Sequence, residues 1–163
     1  MLQRVQSTLA AIRTKLGKND IIKKLLLHDG NDALYVQTPK IEKMDNYITL
    51  HPIFEFENKE DYNQNSIINI YMTQCIPADD NQQLDGIIQI NVVCNKDVWE
   101  LIEDKIRPLE ISNQIIKLIH NVKLSVSNKL IFKNMSDLII SKKMIGYALL
   151  FEFTDGSGEN DKF

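Results

Sequence analysis

The sequence predicts an α+β fold, a mainly antiparallel sheet of four to five strands with two N-terminal helices and one further helix packed on it. Three observations predict it. Apolar residues recur at helical spacing in two N-terminal stretches and again after residue 107. Runs of strand-type residues follow one another instead of alternating strictly with helices. No second hydrophobic unit follows a linker, so residues 1–154 read as one domain and residues 155–163 as a polar, Gly-containing flexible tail.

The first helix rests on Leu2, Val5, Leu9, Ile12 and Leu16, a narrow stripe at alternating spacings of three and four. Such a stripe covers a helix's own sheet or seats a neighbouring subunit. Gly17 suits a C-cap, Asn19 or Asp20 can start a second helix, and Ile21, Ile22, Leu25 and Leu26 give that helix an apolar face. Residues 28–31 supply a loop.

Residues 32–65 read poorly, with Pro39 and Pro52 interrupting the pattern, residues 47–56 extended and residues 57–61 a solvated turn. Residues 66–74 and 86–94 are then two β-rich runs, the second alternating Ile88, Ile90, Val92 and Cys94 against Gln89, Asn91 and Val93. They predict neighbouring antiparallel strands. Their connection contains Asp79, Asp80 and Asn81 in a polar loop longer than a tight hairpin needs, a candidate contact with a partner.

Pro108 suits the first turn of a third helix, whose buried face is Ile111, Ile115, Leu118 and Ile119. Residues 129–132 and 145–153 give the last two strands, and residues 136–140 a further short strand or turn of helix. Both faces of the 145–153 run are largely apolar, which predicts a central strand covered on both sides. Trp99, the only tryptophan, is either a core plug or an interface anchor.

A chain of 163 residues with 44% apolar and 25% charged residues can bury one real core, roughly 70% of its unfolded surface. No apolar run is long enough to span a membrane, and Arg4 and Arg13 lie in a polar-interrupted pattern unlike a signal peptide, so a cytoplasmic site or a particle assembled there is expected. The net charge of −3 argues against tight binding of nucleic-acid phosphates.

No catalytic constellation emerges. The glycines at 17, 30, 86, 146, 156 and 158 build no phosphate loop, and His28, His51, His120, Cys75 and Cys94 lack the paired spacings of a zinc site. Neither a cofactor nor a metal is expected. Cys75 and Cys94 near opposite ends of a hairpin would stand roughly 25 to 30 Å apart, too far to bridge. Both read as small apolar strand residues, and His120 as a favourable charge at a helix C-terminus.

The succession Asp97-Val98-Trp99, then Arg107-Pro108 opening a helix with Ile111, Ile115 and Leu118, then Leu130-Ile131-Phe132, then Gly146-Tyr147-Ala148-Leu149-Leu150-Phe151-Glu152-Phe153 resembles small neck proteins of tailed bacteriophages. Residues 21–27 followed by Asp32-Ala33-Leu34 add to the resemblance. It implies a structural virion protein without catalytic residues, a homo-oligomeric ring of the tail-terminator or head-tail-connector kind. Its partners would be further copies of itself and portal, adaptor or tail-tube components. Genomic DNA would pass through the lumen without specific binding, since a mildly acidic wall repels phosphates. The alternative is a small cytoplasmic protein-protein adaptor. Candidate interface residues under either reading are Leu2, Val5, Leu9, Ile12, Trp99, Asp79, Asp80 and Asn81.

Overall fold

A computed structural model describes residues 2–41, 43–52, 64–77, 83–124 and 129–156. Helices α1 (Leu2–Gly17) and α2 (Asp20–Leu27) come first, as the apolar periodicity requires. Asn19 caps α2, its side-chain oxygen accepting from the Ile22 amide at 2.9 Å. Helix α1 ends at Gly17, and none of the described glycines adopts a positive φ. Helix α3 (Arg107–Ile119) opens with Pro108 in its first turn and buries Ile111, Ile115 and Ile119.

The sheet holds five described strands, β1 (Ile48–Thr49), β2 (Ser66–Pro77), β3 (Gln83–Asn95), β4 (Ile131–Ile139) and β5 (Met144–Gly156), in the order β1-β2-β3-β5-β4. All pairs are antiparallel except β1 with β2, which is parallel over two residues, Ile48 beside Ile68 and Thr49 beside Asn69. Helix α1 packs on β1 and β2, α2 on β2, and α3 on β3 and β5. The three helices form one layer, and the core between layer and sheet contains Leu16, Ile22, Ile68, Ile90, Val92, Ile115, Leu149 and Phe151.

The strand at residues 145–153 is interior, as expected, flanked by β3 and β4. Both of its faces are buried over much of their length, Leu149, Phe151 and Phe153 on one and Met144 and Ala148 on the other. Phe151 and Phe153 face the helices, while Met144 on the other face meets a small cluster with Ile67 and Val93, beyond which Glu152 is exposed. Residues 129–132 and 136–140 are not separate elements. They join into β4, because a bulge between Phe132 and Asn134 inserts Lys133 and reverses the alternation. Finally, the first two tail residues, Asp155 and Gly156, pair with Leu84 and Gln83 as the end of β5.

Two glycines set how close the strands lie. A side chain at Gly146 would drive its first carbon into the Val92 carbonyl oxygen, so only glycine can occupy the position. At Gly86 the same atom would sit 2.6 Å from the ring of Phe153, its partner on β5, so the ring covers the glycine across the strand pair.

Candidate interaction surface

Among the described residues no group of three or more His, Cys, Asp or Glu side chains could hold a metal ion. No described helix is long and apolar enough to cross a membrane. The thiols are free, Cys75 exposed and Cys94 buried, and burial pushes the Cys94 thiol up to about 11. The His120 Nδ1 accepts the Phe132 amide at 3.0 Å, which ties the helix C-cap to the start of β4.

Among the described residues Arg107 is bonded at every guanidinium nitrogen. It is fully buried, and every guanidinium nitrogen donates to a main-chain carbonyl. Nε reaches Val98 at 2.6 Å, Nη1 reaches Leu25 at 2.6 Å and His28 at 2.8 Å, and Nη2 reaches Asp29 at 3.2 Å and Gly30 at 2.8 Å. Four of the five acceptors gather at the C-terminal end of α2, where the helix dipole favours a cation. Burial lowers the Arg107 pKa, and the nearby Cys94 and Asp29 act in the opposite direction. All its donors being consumed internally, this arginine is a clamp between α2, α3 and the turn at residues 96–98. It offers nothing to a ligand.

A second tie lies at the surface beside it. Glu103 and Asp104 both adopt left-handed conformations, φ 62° and 57°, in a tight turn closed by the Leu101 amide on the Lys105 carbonyl at 2.9 Å. The turn presents Glu103 to the Tyr35 hydroxyl, which donates to it at 2.5 Å. That bond lowers the Glu103 pKa and raises that of Tyr35. His28 and Asp32 pair at 2.9 Å on the same side, the bond lowering the Asp32 pKa.

The features suited to a partner lie at the sheet edges. No described strand pairs with the outer edge of β4, and no described helix packs over it. Its helix-side residues are exposed, Met135 at 40% and Ile139 at 71%. They continue an apolar shelf formed by Ile145 and Tyr147 on β5, with the Trp99 ring 6.3 Å from that of Tyr147. At the opposite edge β1 covers only Ile68 and Asn69 of β2, and Thr73, Gln74, Cys75 and Ile76 are exposed beyond it. On the face away from the helices, Asn91 donates to the Tyr71 hydroxyl at 3.3 Å and accepts from Gln89 at 2.7 Å. Asn69 donates to Thr49 at 2.7 Å, leaving its own buried oxygen without a hydrogen bond.

Of the residues singled out from sequence, Val5 and Ile12 face the chain's own core, Ile12 with no exposure at all. Leu9 is half-buried against the same core, and Leu2 lies on the α1 backbone, its side chain outside the described set. Trp99 is half-buried between core and shelf. Asp79, Asp80 and Asn81 lie outside the described residues. The structure therefore brings Trp99 to the β4 shelf and leaves the α1 stripe elsewhere. Sequence reasoning passed over Met135 and Ile139, whose only signal was the pair of large apolar side chains flanking Asp137.

Comparison with known proteins gives one family. Residues 19–153, from the N-cap of α2 nearly to the end of β5, match the family model YomW. The match takes in the five described strands but for the last three residues of β5, with Arg107 and every carbonyl it holds, and leaves out α1. No curated protein matches the chain.

Proposed function

Starting from a chain that belongs to the YomW family, a Bacillus phage-derived family (SPbeta-like prophage), we propose that it is a structural protein of a tailed phage. Its role is to assemble as a ring in the neck, as tail terminator or head-tail connector around the DNA channel. The observation that carries the reading is the outer edge of β4, unpaired among the described strands, with Met135 and Ile139 exposed beside it. An edge of that kind is a template for another strand, and proteins that remain alone blunt it. Head-to-tail contacts between copies close into a ring when the rotation between them closes. The net charge of −3 is compatible with a lumen that lets DNA slide.

Native mass spectrometry and negative-stain imaging, with and without candidate portal or tail-tube proteins, test this. A defined oligomer or a ring on its neck partner is expected. A chain that stays monomeric and joins no virion component sinks the reading, and recovery of a host enzyme in place of virion proteins points to the adaptor alternative.

A further inference from the structure

Among the described residues β4 has no outer neighbour and β1 pairs β2 only at Ile68 and Asn69, and these two edges differ in direction. β2 runs antiparallel to β3, β3 to β5 and β5 to β4, so β2 and β4 run oppositely within one sheet. A second copy placed beside the first, with its helices on the same side, sets its β2 antiparallel to β4 of its neighbour. This is the more stable pairing mode. It also preserves the faces, so Met135, Asp137 and Ile139 share a face with Cys75, the partner of Gly86 on the helix side of β3.

The competing arrangement joins two β4 edges around a twofold axis, and side-chain chemistry disfavours the three registers of it centred within residues 135–137. Centred on Asp137, it sets Met135 against Ile139 but brings the two Asp137 carboxylates opposite each other, a destabilising pair. A Met135 centre matches Lys133 with Asp137 in sequence. The bulge, however, turns Lys133 towards Glu152, 3.3 Å away, on the face opposite Asp137. With Ser136 at the centre, apolar side chains oppose polar ones, Met135 against Asp137 and Leu138 against Asn134. The bulge and Lys133 also shield the first part of β4, restricting docking to residues 134–139.

We propose that residues 134–139 of β4 pair antiparallel with the exposed β2 edge beyond its own bulge at Thr73, residues 74–77, of a second copy of this chain, extending the sheet from subunit to subunit. This deepens the ring reading, on which it rests, by naming the two surfaces that meet.

Cysteine cross-linking tests it, because Cys75 is already an exposed thiol on one edge while Cys94 is buried. Single substitutions Met135→Cys, Asp137→Cys and Ile139→Cys scan the other edge on the matching face. Within one chain two strands intervene, separating these positions from Cys75 by at least about 14 Å, beyond the reach of a disulfide. Mild oxidation is expected to give a ladder of dimers, trimers and higher species from at least one variant, lost when Cys75→Ser is added. Dimers that persist with Cys75→Ser mean two β4 edges meet, and overturn the proposal. If the wild-type chain assembles by native mass and none of the three variants forms a bridge to Cys75, the ring stands and the edge pairing falls. A wild-type chain that is monomeric at every concentration overturns both.

Discussion

Arg107 Nη1 donates to the Leu25 carbonyl at 2.6 Å across 82 positions of sequence, fastening the end of α2 to the start of α3. Removing the donors leaves buried carbonyls unsatisfied, each worth roughly 1–3 kcal/mol. Arg107→Met is therefore expected to cost about 3 kcal/mol or more in urea unfolding. Arg107→Lys should recover only part of this, since an ammonium has three donors and no fork to distribute them.

Gly146→Ala meets a backbone oxygen that cannot step aside, and its cost should exceed the ~1–3 kcal/mol usual for overpacking. Gly86→Ala meets the movable ring of Phe153 as well as the Gln74 carbonyl oxygen at 2.9 Å, and should cost less. Adding Phe153→Leu to Gly86→Ala should give less than the sum of the single losses, the mark of contacting residues. Thermal or urea midpoints of the four variants decide.

Cys94 holds its proton in the fold, with a pKa raised by burial from 9.0 to about 11. Its contribution is complete below pH 9, where both states keep the proton. As pH rises towards 11, only the unfolded chain releases it, so that stability is lost. Over that window the wild type should lose on the order of 2 kcal/mol relative to Cys94→Val, at about 1.36 kcal/mol for each pH unit between the unfolded and folded values. In the native protein near pH 8, a thiol reagent should modify Cys75 alone.

The α1 stripe separates core from interface by experiment. Ile12 and Leu16 are fully buried within the chain, so Ile12→Ala and Leu16→Ala should each cost about 2–5 kcal/mol of monomer stability. Leu9→Ala, at a half-buried position, should cost less. If these changes instead alter only the oligomer distribution in native mass spectra, the stripe belongs to an interface.

The helices were legible because a 3.6-residue period survives in Leu2 to Leu16 and Ile111 to Ile119, and β3 because Ile88 to Cys94 alternate without interruption. β1 was not, since two residues in parallel pairing leave no period to read. β4 was split because one inserted residue, Lys133, puts Phe132 and Met135 on the same face at a spacing no strand pattern contains. The role of Arg107 was hidden for another reason. Its acceptors are main-chain oxygens, and no side chain in the sequence advertises them. The exposed edge of β4 was equally silent, because strand order is a property of the assembled sheet.

Those oxygens give the arginine an unusual indifference. It recognises the route the chain takes through residues 25–30 and not the composition of that segment. The side chains of His28 and Asp29 reach instead to Asp32 and Asn65, so exchanging them leaves the carbonyls that the clamp holds in place. Among relatives sharing this fold, position 107 is where variation should be least tolerated, and the surface bend it secures is where new specificity can be written at little structural cost.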